Sequence, residues 1–324
     1  MGLPAALVSA DGQSVTAKQL SEQTGASALL IVRVMRVLIA LGICDEVGEE
    51  VYLATPVTET LASPGFTGGT RYLYDLFVPA AAKITEYMHE IAFQNPQDKS
   101  LFEYTFQAPL WEYLGEHPAM QKDMMDYMAG RRKGGLRWLD LFPAASELGR
   151  GSLTNEDNAV LLVDIGGNQG HDLLMFKERH PDVSGRLVLM DLPEVVSKIQ
   201  GPLEGIEVVP YSFFTPQPIK GAKAYFFRAI CHDWPDKACQ EFLGNTAKAM
   251  KADYSRLLIN DFVLPDTKPD LHPALLDLMM MSMCSGAERT EKQWRALLES
   301  VGLEIVKIWN KGSVEAVIEA KLKA

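Results

Sequence analysis

The stretch Val160–Gly170, Val-Leu-Leu-Val-Asp-Ile-Gly-Gly-Asn-Gln-Gly, constrains this chain more than any other. Four apolar residues in unbroken succession, Val160 to Val163, suit a strand covered on both faces, as in a parallel sheet. Asp164 ends the run, and Gly166, Gly167 and Gly170 follow within five positions. Glycine opens backbone conformations closed to other residues and lets the main chain approach a ligand without an intervening Cβ. His171–His180 reads as a helix, with Leu173, Leu174 and Phe176 apolar and Pro181 beyond its end. Strand, glycine turn and helix together make the nucleotide-binding edge of a doubly wound α/β domain. Taken alone, the motif leaves open a plain strand-to-helix turn with no ligand.

After Val160 apolar strands and helices alternate regularly. Arg186–Met190 runs into Asp191, Ile206–Val209 into Pro210, Ala224–Ile230 into Cys231-His232-Asp233-Trp234, and Arg256–Ile259 into Asn260-Asp261. Glu304–Trp309 and Val314–Ala320 close the chain as a hairpin around Asn310-Lys311-Gly312. The expectation is a seven-stranded mixed, mostly parallel sheet of Rossmann-like type. Its polar residues collect at the carboxyl ends of strands, where ligands bind in such folds. Asp191 stands 21 residues after Gly170, the spacing at which a carboxylate accepts both hydroxyls of a ribose. Glycine turn and acid support each other as a nucleoside site. A nicotinamide dinucleotide would use the same geometry, so the pair does not choose the cofactor.

Upstream of this sheet the chain reads as all-helical and winged-helix-like. Thr16–Gly25 and Ala28–Gly42 form two helices about Gly25, the second carrying Leu29, Leu30, Val34, Leu38 and Leu41 at helical spacing, and Val51-Tyr52-Leu53 follows as a short strand. Such a unit either reads DNA through Arg33 and Arg36 or serves as a scaffold and dimerisation module. Two arginines are few for phosphate neutralisation in a chain of formal net charge −11, so the scaffold reading is preferred and no nucleic acid is expected as partner. Thr70–Ala129 is helical and rich in methionine and aromatic residues, mostly core, with a minority suited to lining a pocket for a flat apolar ligand. Arg131-Arg132-Lys133 reads as a solvated helix end, and Glu147–Asn158 as a polar connection. The expected domains are therefore 1–150, for dimerisation and substrate lining, and 151–324, for cofactor binding; 324 residues suit about two domains.

The four cysteines, Cys44, Cys231, Cys239 and Cys284, are sparse and none are paired as C-x-x-C, which fits free thiols, a reducing cytoplasmic setting and no metal. No apolar stretch approaches the ~20 residues of a membrane span, and Met1–Asp11 has no basic-then-apolar signal pattern. No membrane association is expected.

Five segments, in order, resemble a known family: Asp164–Gly170; Val188-Leu189-Met190-Asp191-Leu192-Pro193; Phe213-Phe214-Thr215-Pro216-Gln217-Pro218; His232-Asp233-Trp234-Pro235-Asp236; and Glu288-Arg289-Thr290-Glu291. They resemble the S-adenosylmethionine-dependent O-methyltransferases of the fungal and plant class II type, over nearly the whole chain. The resemblance implies an S-adenosyl-L-methionine site formed by Asp164, Gly166, Gly167, Gly170, Asp191, Leu192, Ser212, Phe213 and Arg228. It implies His232 as general base, flanked by Asp261 and Glu288, and Asp277, Met280 and Met283 on a substrate-facing helix. A small aromatic or specialised metabolite would be the acceptor, and the N-terminal part would make a homodimer. Asp233 and Trp234 read as structural, holding the start of the next helix.

This chain departs from the family's pattern at several points. Asn168 stands where a third glycine is usual, and asparagine tolerates left-handed backbone angles. Ser212 stands where an aspartate usually accepts the adenine amino group, and Asp261 where glutamate is frequent. The segment before the first helix is shorter than in many fungal members. Some relatives share the whole pattern yet catalyse pericyclic or dehydration steps with the cofactor bound but not consumed, and Ser212 and Asn168 keep that alternative in view.

Overall fold

The computed structural model describes residues 1–132, 136–149 and 159–323. The chain divides into two compact units, Met1–Pro79 with Trp111–Gly135, and Ala80–Leu110 with Leu136–Ala324. The division differs from the 150/151 boundary read from composition. The helices of 80–110 belong to the sheet unit, and Leu136–Ser146, ahead of the polar connection, packs with the sheet. Lys133 and most of Glu147–Asn158 lie outside the described residues.

In the first unit, helices Leu3–Val8, Ala17–Thr24 and Ala28–Ala40 pack on a small antiparallel sheet of β1 (Val15–Thr16), β2 (Cys44–Gly48) and β3 (Val51–Ala54), in the order β1-β3-β2. This is the expected winged-helix arrangement, with β2 an addition to the sequence reading. Thr16 and Gln19 form a reciprocal capping box at the second helix, and the Ser27 hydroxyl caps the third, satisfying otherwise orphaned N–H groups. Leu7, Leu20, Ile31, Met35 and Tyr52 are the core of this module. Farther along the unit, helix Pro64–Tyr72 lies close on helix Pro118–Arg132. A Cβ on Gly68 would sit 2.6 Å from the Asp123 carbonyl oxygen, and one on Gly65 2.7 Å from the Gly130 Cα. The Thr70–Ala129 helical stretch is broken where Ala92 and Phe93 both take positive φ.

The second unit holds the large sheet: β4 (Val160–Ile165), β5 (Arg186–Asp191), β6 (Ile206–Pro210), β7 (Ala224–Arg228), β8 (Arg256–Leu264), β10 (Leu303–Trp309) and β11 (Glu315–Leu322). Their order is β10-β11-β8-β7-β4-β5-β6, parallel from β8 to β6 and antiparallel where β11 joins β8 and β10. A short β9 (Arg289–Thr290) also pairs with the end of β8. The expected seven strands are thus present with one short addition. β4 and β7 are central and buried on both faces, which is why they read as unbroken apolar runs. One face packs Phe227, Phe242, Trp294 and Leu298; the other packs Trp138 against Phe142, Phe176 and Phe226. The strands β4, β5, β7 and β8 are parallel, so their carboxyl ends open on one edge.

Candidate active site

The turn after β4 is shaped by glycine. Gly166 and Gly170 both have φ 75°, and a Cβ on Gly166 would meet Ile230 Cδ1 at 2.6 Å. Gly167 has no such φ, but its Cβ would lie 2.4 Å from both Asp164 Oδ2 and Leu189 Cδ1. Asn168 adopts φ 53°, so asparagine supplies the left-handed conformation expected where the family has glycine. Its N–H donates to Asp191 Oδ2 (2.8 Å), and the Leu192 N–H donates to Asp191 Oδ1 (2.7 Å). The Asp191 carboxylate is thus clamped across the turn at the end of β5, each oxygen keeping lone-pair capacity for a diol. Burial raises its pKa, against the lowering effect of these two N–H groups.

Other expected cofactor residues are placed with varying directness. Asp164 is buried at the end of β4 beneath Gly167. Ser212 follows β6, its carbonyl accepting from both the N–H and the hydroxyl of Thr215. Phe213 packs in an aromatic group with Phe214, Trp234 and Phe242, at centroid separations of 4.9, 5.9 and 4.8 Å. Arg228 is engaged within the protein: Nε donates to Asn260 Oδ1 (2.9 Å), and the guanidinium pairs with Asp172 (3.3 Å) and, at 3.9 Å, Glu315. It ties the end of β7 to β8, β11 and the first turn of helix His171–Arg179.

His232 lies in the one-turn 3-10 segment Cys231–Asp233 that follows β7. Its Nδ1 is 2.8 Å from Glu288 Oε1, and its Nε2 is 3.6 Å from Asp233 Oδ1. Burial alone would depress the imidazole pKa; the charges of Asp233, Asp261 and Glu288 outweigh it and raise the group to about 10. The acids respond in turn. Burial raises Asp261 to about 7 and Asp233 to about 6, with His232 opposing both shifts. Asp261 Oδ2 and Glu288 Oε2 are buried without a hydrogen-bond partner. One imidazole therefore sits among the buried carboxyl groups of Asp261 and Glu288 and the partly buried one of Asp233, so Asp233, read as structural, belongs to this electrostatic unit.

The loop 285–289 holds this turn in place. Arg289, 2% exposed, donates to the carbonyls of Cys231 (2.9 Å) and Trp234 (2.8 Å) and pairs with Asp236 at 2.7 Å. The Ala287 N–H donates to the His232 carbonyl (3.0 Å), and a Cβ on Gly286 would lie 2.0 Å from that same oxygen. Helix Leu271–Cys284 brings the loop here. Met280 and Met283 are buried on it, and Asp277 accepts the Glu288 N–H (2.8 Å). Sequence reasoning placed the glutamate but missed Arg289 and Gly286 as clamps; the Glu-Arg-Thr motif was the available signal.

Comparison with known proteins fits this geometry. Residues 86–304 match the O-methyltransferase domain, and residues 1–64 match the O-methyltransferase dimerisation domain. The chain belongs to the O-methyltransferase family. The O-methyltransferase mfmE of Annulohypoxylon moriforme is 36% identical over 317 residues, covering 96% of this chain and 78% of that protein. Among solved structures, a pericyclic reaction enzyme (TM-score 0.87, 30% identity, 96% of this chain and 81% of that one) and OxaC in complex with SAH and oxaline (TM-score 0.86, 31% identity, 96% and 80%) share the fold. This methyltransferase uses S-adenosylmethionine, and the glycine turn, closed to a Cβ, with the clamped Asp191 carboxylate is a fitting cradle for its ribose. No single helix among the described residues is long and apolar enough to cross a membrane.

Proposed function

We propose that this enzyme methylates a hydroxyl of a small aromatic specialised metabolite, with His232 as the general base. The observation that carries the reading is the His232 Nδ1–Glu288 Oε1 contact at 2.8 Å, just beyond the carboxyl end of β7, which lies between β4 and β8. It orients the imidazole through one nitrogen and leaves Nε2 to take a proton. When bound, S-adenosylmethionine supplies an electrophilic methyl group on a sulfonium. Gly166, Gly167 and Gly170 let the backbone come close, Asp191 accepts the ribose hydroxyls, and Phe213 offers an aromatic surface. A phenol of pKa near 10 is a poor nucleophile at neutral pH. The neutral imidazole accepts the phenol's proton, and the Glu288 carboxylate on Nδ1 stabilises the imidazolium that forms. The dimerisation-domain match supports assembly as a homodimer.

A second reading draws on the fold shared with a pericyclic reaction enzyme and on Ser212 in place of the adenine-binding acid: the cofactor would be held without being consumed. Incubation with S-adenosylmethionine and a panel of phenolic acceptors, followed by mass spectrometry, separates the two. Methylated product in equal amount with S-adenosylhomocysteine supports methyl transfer. Product of unchanged mass, formed without S-adenosylhomocysteine, supports the second reading.

A further inference from the structure

Glu288 reaches His232 from a loop that needs an anchor of its own. Helix Leu271–Cys284 ends at Ser285, whose φ of 56° turns the chain back on itself. Three amides then fix the return. Gly286 N–H donates to the Met280 carbonyl at 3.2 Å, Ala287 N–H to the His232 carbonyl at 3.0 Å, and Glu288 N–H to Asp277 Oδ1 at 2.8 Å. The first two bonds are main chain to main chain. The third depends on a side chain and lies at the residue whose carboxylate holds the imidazole. Glu288 is buried, and its amide is seated by Asp277 two helical turns before the helix end.

We propose that Asp277 is a positioning residue for the base: by accepting the Glu288 amide it holds Glu288 Oε1 on His232 Nδ1 and so fixes the orientation of the imidazole. This rests on the reading of His232 as base, and it gives Asp277 a different task from the substrate contact implied by family resemblance. The groups bearing on His232 are Asp233 on its own turn, Asp261 from β8 and Glu288 from the loop; those bearing on Asp277 are Glu288 and Arg289. When the amide anchor is lost, Glu288 is no longer held against Nδ1 and the imidazolium loses part of its stabilisation. Asn at position 277 removes the charge but keeps a carbonyl acceptor, which separates the hydrogen bond from the electrostatics.

The test is the titration of His232 by NMR in histidine-labelled protein, in which only six histidines report and His232→Ala identifies the signal. No acceptor is required. Asp277→Ala is expected to lower the His232 titration by about one unit, a tenfold loss of proton affinity, while Asp277→Asn stays close to the parent. Turnover with the best acceptor from the phenol panel should fall about tenfold in kcat for Asp277→Ala, with KM nearly unchanged. An unmoved titration in Asp277→Ala would overturn the proposal, as would equal damage from Asn and Ala. A raised KM at unchanged kcat would overturn it in favour of a direct substrate contact. Full methyl transfer by His232→Ala would instead remove the base reading, whatever the titration of the Asp277 variants.

Discussion

Ser212 carries the chain's sharpest departure from its family at a single residue. Its carbonyl is held by Thr215, so its place after β6 is set by a local turn, and its side chain offers a short neutral acceptor. Ser212→Asp is expected to tighten S-adenosylmethionine binding roughly tenfold or more, since a charge-assisted hydrogen bond is worth about 1.5–3 kcal/mol; calorimetric titration checks this, and unchanged affinity would contradict it. The acid cluster predicts a pH dependence. A base must be neutral to accept a proton, and His232 is raised to about 10, so kcat/KM should climb as pH rises above 7. Asp233→Asn removes the leading source of the upward shift and should move that limb about one unit toward lower pH. The same sign governs stability. Through the imidazolium, His232 stabilises the fold fully below its ordinary value and loses that contribution as pH rises towards about 10. Local features of the site were legible in the sequence: Asn168 takes φ 53° because its own side chain permits it. The partners of Arg228 were not, since Asp172, Asn260 and Glu315 come from three separate elements.

Among the elements, the parallel strands were the most legible, because burial on both faces leaves an unbroken apolar signature in β4, β5 and β7. β2 was hidden because its residues after Cys44 are mostly exposed and charged or small. The unit boundary was hidden because Ala80–Leu110 joins the sheet unit through helix Leu101–Phe106 against helix Leu271–Cys284, segments far apart in sequence. Close helix packing was equally silent in the sequence, although it yields a clear expectation. Gly68→Ala places a methyl 2.6 Å from the Asp123 carbonyl oxygen, which is backbone and cannot swing aside. Prising helix Pro64–Tyr72 from helix Pro118–Arg132 should cost about 1–3 kcal/mol, the usual range for overpacking. A denaturant midpoint equal to that of the parent would contradict this.

At the scale of the whole molecule, the dimerisation-domain match and the surface of the third helix point the same way. Leu30, Val37 and Leu41 are exposed on helix Ala28–Ala40 and its C-cap, and a row of such side chains favours a protein partner over water. Val37→Lys with Leu41→Lys is expected to shift a homodimer to monomers in sedimentation velocity; an unshifted dimer would place the interface elsewhere. In the proposed function the sheet carries the chemistry at one edge, to which the parallel strands bring the glycine turn of β4, the acid of β5 and the histidine beyond β7. That edge is legible in Val160–Gly170 and Asp191, and the family resemblance implies Asp261 and Glu288 beside His232; the part of Asp233, read as structural, emerges only in the fold. The central claim is that His232 takes the acceptor's proton. Its most direct measurement is transfer of a labelled methyl group from S-adenosylmethionine to the best phenolic acceptor by folded His232→Ala protein that still binds the cofactor. The account predicts a loss of about 100-fold or more in kcat, the usual contribution of a general base; transfer at the parent's rate would contradict it.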